Sequence, residues 1–373
     1  MIRENSSHVS GVGGSIPSQQ RVLSIDAVRG FALVVGLGAG DLIVPALKPL
    51  PSTPVVNVLI EQMTHAPWHG FHFIDLGYPA FVILLCSSMV FSFRKRRSLG
   101  QTTTQILWHV ITRSALIYAF AFILYGGFST SYDKIIVGHV FHQLAYCNLF
   151  AGLALLATTV TVRVVLLMVF LGGWWAILVL IPVPGVGTGD LSPAGNVLHY
   201  VLSHCPNKFV EFLVRTPRMF GTCLVGLLIG DWLANNRSQG HKTMGLFVFA
   251  LVGLNLGAFW DGWLPINKLL WTPSFTLFSA GGTCAFLAVA HWLIEVLDRR
   301  RWLVPLFVVG RTPLAAWGLF HFLPLDDFSR RLAGDAFAPF FGIYHELILV
   351  LVQIVLWWLI LYWIYRRNLI LKI

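Results

Sequence analysis

The chain contains ten stretches of about twenty mostly apolar residues, and this feature limits its possible folds more than any other. An α-helix of that length crosses the hydrocarbon core of a bilayer, and only 11% of the 373 residues are charged. Such a chain has too little polar surface to cover a soluble globule. We therefore predict an all-α, polytopic integral membrane helix bundle, with spans at about residues 24–47, 71–93, 104–126, 134–158, 163–183, 217–236, 244–262, 269–295, 303–323 and 343–365.

The loops between these stretches differ in charge. Most Lys and Arg, including the runs Arg94–Arg97 and Arg299–Arg301, fall on the side of both chain ends, and most Asp and Glu fall on the other side. The positive-inside rule then predicts cytoplasmic termini and an extracytoplasmic loop around His65. Because the basic residues cluster at span ends, the net charge of +10 indicates membrane insertion, so we expect a lipid bilayer and no nucleic acid as partner.

Residues 1–20 are rich in Gly, Ser and Asn and contain no apolar run. No charged start leads into a short apolar core, so the segment is not typical of a cleaved signal peptide. We predict a disordered tail over residues 1–20 and one transmembrane domain over residues 21–373.

The first span begins with an acid and an arginine three residues apart, which places Asp26 and Arg29 on one helical face. An ionised pair at this depth is costly unless it serves structure or a ligand. Arg113 and Arg311 also lie in apolar runs near that membrane face. Two interpretations stay open. Either the pair pins the helix end, or the arginines bind an anionic head group of a lipid or of a phosphorylated cofactor.

The opposite face carries histidines and carboxylates. His65, His69 and His72 precede the second span, Asp75 opens it, and Asp41 closes the first span. A histidine beside a carboxylate can take up and return a proton near neutral pH, although a loop histidine can also cap a helix or face water. The three histidines lack the spacing and the added Cys or acidic ligands of a metal site, so we expect no metal.

Several motifs follow one another in a recognisable order. Arg21–Gly30 (RVLSIDAVRG) opens the first span, His65-x-x-Trp68-x-Gly70 precedes the second, and Ile266–Phe275 (INKLLWTPSF) leads into the eighth. In this order, over about residues 21–325, the chain resembles the heparan-α-glucosaminide N-acetyltransferase family of transmembrane acyltransferases.

The resemblance implies an enzyme in a cell (inner) membrane that takes an acetyl group from cytoplasmic acetyl-CoA. It would deliver the group to an extracytoplasmic acceptor, an amino sugar or glycan, and the same resemblance suggests a homodimer. His65 would be the catalytic base or a transient acetyl carrier, supported by Asp75 and by Asp41, which replaces the family's usual asparagine. The cofactor end would hold Asp26, Arg29, Arg113, His142 and Arg311, and the acceptor end Trp68, His69, Asn267, Lys268 and Trp271.

A protein without covalent chemistry is the alternative. Intramembrane Asp, Arg and His residues and Gly-rich helices are also typical of proton-coupled transporters and flippases. Against this, no inverted repeat is visible, and the polar residues lie at the two faces of the bundle instead of the midplane. A lipid-scaffold role has only the basic inner loops in its favour.

Overall fold

The computed structural model describes residues 22–127, 139–204, 214–323, 325–334 and 336–369, and the predicted tail at 1–20 lies outside these ranges. In the described part the only β pairing is one isolated bridge, between Val183 and Gly187. The α-helices are α1 Leu23–Gly38, α2 Val44–Leu47, α3 Pro54–Gln62, α4 Gly77–Ser98, α5 Thr103–Leu124, α6 Val140–Ala157, α7 Val160–Leu180, α8 Val197–His204, α9 Phe220–Leu233, α10 Gln239–Asp261, α11 Pro273–His291, α12 Val304–Arg311, α13 Pro313–Phe322, α14 Leu325–Ala333, α15 Ala338–Phe341 and α16 His345–Arg366.

The predicted all-α membrane bundle is confirmed in its class. Within the described residues, seven helical segments are long and apolar enough to cross a bilayer, and Leu23–Leu37 with Gly40–Leu47 is an eighth if that pair, bent by 43°, is one span. The seven are Phe73–Ser98, Thr103–Leu124, Val140–Ala157, Val160–Leu180, Gln239–Asp261, Pro273–Val296 and Ala338–Arg366.

Three predicted spans are interrupted or short. A π-helix, Ala39–Ile43, separates α1 from α2. The stretch predicted at 303–323 is divided at Thr312, because Pro313 has no N–H to continue the helical ladder. Helix α9 has only 14 residues, preceded by a 3₁₀ turn, Pro217–Met219.

Helix α4 is the centre of the bundle. It packs against α1, α6, α9 and α11, and its Ile83, Leu84 and Cys86 are fully buried. The contact with α9 is close because Gly226 and Gly230 present no side chain there, and Ser87 Oγ donates a hydrogen bond of 2.8 Å to Gly226 O. The segment for which the sequence predicts chemistry thus leads into the most central helix.

Helices α1 and α12 cross at two glycines. A Cβ on Gly310 would overlap the carbonyl oxygen of Asp26, and one on Gly30 would overlap that of Leu306. The backbones therefore touch, as small residues allow in membrane proteins. Arg311, the residue after Gly310, is brought beside the Asp26 side chain by this crossing.

Helices α7, α10 and α16 lie at the periphery. Less than a third of each is buried, and they present residues such as Val164, Phe259 and Leu351 outward. Apolar side chains exposed in this way match a surface that faces lipid tails.

Candidate active site

The loop between α3 and α4 carries His65. It is fixed to the loop before α11 by the backbone N–H of Gly70, which donates to Ile266 O at 2.9 Å. Gly70 has φ +110°, a conformation that a residue with a side chain rarely adopts. This contact brings together two loops that are about 200 residues apart in sequence.

The loop before α11 is a closed turn that presents Lys268. Asn267 Oδ1 accepts the N–H of Leu270 at 2.8 Å, and Asn267 N–H donates to Thr272 Oγ1 at 3.1 Å. Trp271 has φ +53°, which is uncommon for a bulky residue, and its N–H bonds to Lys268 O at 3.2 Å. These hydrogen bonds hold the turn in its strained conformation.

His65, Asp75 and Lys268 meet in one cluster. His65 Nδ1 lies 2.7 Å from Asp75 Oδ1. The Lys268 Nζ lies 3.1 Å from the same Oδ1, 2.9 Å from His65 Nδ1 and 3.2 Å from His65 Nε2. The sequence placed Lys268 at the acceptor end, and the structure places its ammonium against the proposed catalytic pair.

The Asp75 carboxylate is the anchor of the cluster. Its side chain is 1% exposed, whereas that of His65 is 57% exposed. Its second oxygen accepts the backbone N–H groups of Ala66 at 3.2 Å and His72 at 3.1 Å. A buried carboxylate with four donors is fully satisfied, so its negative charge is held in place.

The contact between His65 and Asp75 favours one tautomer of the imidazole. A carboxylate oxygen only accepts, so the 2.7 Å contact assigns the hydrogen to His65 Nδ1 and leaves Nε2, 3.2 Å from the Lys268 ammonium, with the lone pair. Burial lowers the pKa of Lys268 below its usual value, and the nearby Asp75 carboxylate opposes this effect. The three side chains thus provide a base, an anion that orients it, and a cation.

A cavity of about 150 Å³ opens beside this cluster. On α1, its lining residues Ala32 and Leu33 lie one helical turn from Arg29. Tyr78, one turn along α4 from Asp75, also lines the cavity and donates to Gln143 Oε1 at 3.0 Å. The sequence analysis missed Tyr78, although the spacing of three from Asp75 was a signal. The lining residues are Ala32, Leu33, Gly36, His65, Ile74, Gly77, Tyr78, Phe81, Val140, Leu144, Lys268 and Trp317.

A second polar cluster surrounds Arg29. Its guanidinium donates to Asp26 Oδ1 at 3.1 Å, to Ser88 Oγ at 2.6 Å and to Leu84 O at 3.1 Å. Arg311 Nε lies 3.6 Å from Asp26 Oδ2. The structure thus brings together the predicted Asp26, Arg29 and Arg311.

Arg113 lies near Arg29 but without a partner of its own. It interacts electrostatically with Arg29 and Arg96, both positive, and its Nε is buried without a hydrogen bond. Among the described residues its side chain has no ion pair or hydrogen bond. A partly buried cation beside a second cation favours an anion as ligand.

The His65 cluster lies at the start of α4, and Arg29 contacts the middle of that helix. Arg29 contacts Ser88, and His65 contacts Asp75, thirteen residues earlier in the chain. At 1.5 Å per residue, this separates them by about 20 Å along the helix. The cavity at His65 covers part of that distance.

Two predicted residues lie apart from the groups assigned to them. His142, predicted at the cofactor end, is in the first turn of α6, with its ring 4.8 Å from that of Tyr118. Its neighbour Gln143 bonds to Tyr78, so His142 belongs to the end of the bundle that holds His65. Asp41 is exposed on the π-helix and makes no side-chain contact with another described polar group.

The predicted acceptor residues hold the loops together. Trp68 Nε1 donates to Leu191 O at 3.0 Å, and His69 Nε2 lies 2.9 Å from Asp261 Oδ1. Trp271 is only 3% exposed, and its Nε1 donates to Thr222 Oγ1 at 2.9 Å. The Trp271 ring therefore packs in the core and offers no free face for a sugar.

No cluster of three or more His, Cys, Asp or Glu in the described part of the chain has a geometry suited to a metal ion. No family model matches this chain, and no curated protein is significantly similar to it.

Proposed function

We propose that the chain is a membrane-embedded acetyltransferase. It would move the acetyl group of acetyl-CoA, bound at the Arg29 end of the bundle, to an amine or hydroxyl of an amino sugar or glycan at the His65 end. One observation carries the proposal: the hydrogen-bonded His65 and Asp75 stand at a cavity that reaches to one turn from Arg29. The motif resemblance supplies the reaction and the donor.

His65 is the general base in this proposal. The acceptor gives its proton to His65 Nε2 as its nitrogen or oxygen bonds to the thioester carbonyl carbon. Asp75 stabilises the resulting imidazolium through the Nδ1 hydrogen. When the tetrahedral intermediate collapses, the C–S bond breaks, and the sulfur of CoA leaves with the proton that the imidazolium returns.

Lys268 supplies positive charge where the reaction develops negative charge. Its Nζ lies 3.2 Å from His65 Nε2, so an ammonium stands beside the site of proton transfer. The carbonyl oxygen of the thioester becomes an oxyanion at this step, and a pre-positioned cationic donor stabilises it. Of the residues described, Lys268 is the cation best placed for this role.

The Arg29 cluster supplies the donor end. Arg113 is partly buried and has no ionic partner among the described residues, Arg29 lies near it, and Asp26 links Arg29 to Arg311. Guanidinium groups bind phosphate through paired hydrogen bonds, and CoA carries several phosphates. The acyl arm would then run from this cluster along α1, past Leu33, into the cavity at His65.

We further propose ten crossings of a cell (inner) membrane with both termini in the cytoplasm. The loop charges support this orientation. The segment Leu23–Leu47 and the pair α12 and α13 are long enough to act as interrupted spans, because broken helices are tolerated where they face protein. Pro217–Leu233, at about 25 Å, is a short one.

The test is acetyl transfer by the purified protein in liposomes, with labelled acetyl-CoA and a panel of amino sugars. We expect transfer by the wild-type protein and a fall of about 10²- to 10⁴-fold in His65→Ala. His241→Ala is the matched control, because His241 is an exposed helix-end histidine paired with Ser238. Transfer that survives in His65→Ala, or no transfer by the folded wild-type protein, would overturn the proposal.

A second measurement separates direct transfer from an acetyl-His65 intermediate. The protein is mixed with labelled acetyl-CoA without acceptor and denatured within one turnover. Label bound to the wild-type protein and missing from His65→Ala indicates the two-step route. Label that is missing from both indicates direct attack by the acceptor.

A further inference from the structure

A second cavity, of about 200 Å³, lies between α1, α13, α14 and α16. Its walls are almost entirely apolar, with Val34, Leu37, Phe320 and Trp357 among them. A dry apolar cavity of about 150 Å³ is enough to hold benzene, so this one has room for a short length of hydrocarbon chain. Nothing in the proposed acetyl transfer uses it.

One buried amide points to a ligand in this cavity. Gln353, on α16, is 8% exposed and lines the cavity. Its side chain has no hydrogen bond to another described residue. An amide on an apolar cavity wall can bond only to what enters the cavity, so a molecule that supplies a hydrogen bond there would be favoured. Asp326, which accepts from Arg330 Nε at 3.1 Å, lines the same cavity from the exposed α14.

The second cavity is next to the one at His65. On α1, Leu33 lines the His65 cavity and Val34 lines the second. On α13, Trp317 lines the first and Phe320, one turn further along, lines the second. A molecule with two parts could therefore place one part in each cavity, next to α1 and α13.

We propose that the acceptor is an amphiphile whose hydrocarbon chain occupies the second cavity. Its hydroxyl- or amine-bearing head reaches His65, and the Gln353 amide bonds to the polar junction between chain and head. A sugar linked to a lipid chain has this chemistry. The inference rests on the proposed acetyl transfer, and it narrows the acceptor from sugars in general to lipid-linked ones.

The test compares glucosamine with its octyl glycoside as acceptors for proteoliposomes that contain the full chain. An alkyl chain concentrates the glycoside in the bilayer without any cavity, so the wild-type preference alone is not decisive. The decisive variant is Val34→Trp, which fills the cavity. Val252→Trp is its matched control, because Val252 lines an outward-facing groove between α7, α9 and α10.

We expect wild type and Val252→Trp to prefer the octyl glycoside by about tenfold or more in kcat/KM, because burial of even part of the alkyl chain favours binding by that factor. In Val34→Trp the preference should fall to the value that partitioning of the glycoside into the bilayer explains. The rate with free glucosamine should not change. Gln353→Leu, which removes the amide at nearly constant volume, should lower the preference without filling the cavity. An unchanged preference in Val34→Trp would overturn the inference and leave the acetyl transfer standing.

Binding of labelled octyl glucosaminide to the protein in nanodiscs gives a readout that does not depend on turnover. Saturable binding by wild type that Val34→Trp loses and Val252→Trp keeps supports the chain site, even if no acetyl group is transferred. In that case the proposed acetyl transfer is wrong, and the proposed binding site for the hydrocarbon chain is still supported. Saturable binding that Val34→Trp retains, or none by wild type, overturns the chain site.

Discussion

The Lys268 ammonium nitrogen lies 3.1 Å from Oδ1 of Asp75, the oxygen that also holds His65. This contact joins the start of α4 to the loop before α11, so a charge from the later part of the chain completes the site. The cation, the anion and the imidazole are then one electrostatic unit, and changes in any of them should alter the reaction.

The first prediction concerns pH. Because burial lowers the pKa of Lys268, its ammonium loses a proton at a lower pH than an exposed lysine would. If the reaction needs this charge, its rate is highest at pH values below the Lys268 pKa and falls as the pH rises through that pKa. Lys268→Arg keeps its charge and should extend activity to higher pH, whereas Lys268→Met should lose about 10²-fold or more at pH values where the wild-type lysine is charged.

The measurement is the transfer rate between about pH 7 and pH 10.5, each variant scaled to its own maximum. Alkaline limbs that coincide in wild type and Lys268→Arg would contradict a role for the ammonium. The scaling removes any general loss caused by the larger guanidinium.

The second prediction concerns Asp75→Asn. An amide can offer its NH₂ to His65 Nδ1, which would put the hydrogen on Nε2 and remove the base. We expect kcat to fall about 10²- to 10⁴-fold with little change in KM for the acceptor. Asp190→Asn, at an exposed aspartate that accepts from Ser192 N, should keep the wild-type rate. An Asp75→Asn enzyme with wild-type kcat would remove Asp75 from the mechanism.

The third prediction concerns the donor end. Arg113→Met should raise the Kd for acetyl-CoA about 10- to 100-fold, the loss expected for one charge-assisted hydrogen bond. The melting temperature should stay the same or rise, because the variant removes a partly buried cation that has no partner among the described residues. Arg97→Met, at an exposed arginine of the basic run, is the control. Equal Kd values in the two variants would argue against a phosphate site at Arg113.

The fourth prediction concerns the crossing of α1 and α12. Gly310→Ala should destabilise the fold by about 1–3 kcal/mol, because the added methyl overlaps the Asp26 carbonyl and pushes Arg311 from its place. Gly173→Ala, where nothing lies within 4 Å, should leave stability unchanged or slightly higher. Melting of the detergent-solubilised protein measures both. Equal melting temperatures in the two variants would contradict a close backbone contact between α1 and α12.

The sequence predicted features that depend on local spacing. Apolar length alone indicated the helix bundle, and a spacing of three placed Asp26 with Arg29, which the structure joins at 3.1 Å. Asp75 is close to His65 in sequence, so their contact needed only one tight turn. Such features follow from the geometry of a single helix or loop.

Several features that depend on packing between distant segments were not predicted. Lys268 meets His65 only because Gly70 bonds to Ile266, a contact that no local pattern indicates. Trp271 has the position of an interfacial aromatic in sequence, yet the turn rotates it into the core. Hydropathy also averages over Pro313, so it did not reveal the break between α12 and α13.

The central claim is that the acetyl group passes from one end of the bundle to the other. The most direct measurement uses sealed proteoliposomes with labelled acetyl-CoA on one side and a membrane-impermeant amino sugar on the other, with orientation fixed by protease access to a terminal tag. We predict labelled acceptor only when acetyl-CoA is on the side of the termini and the acceptor is opposite. Label transfer only when donor and acceptor share one side would contradict the account.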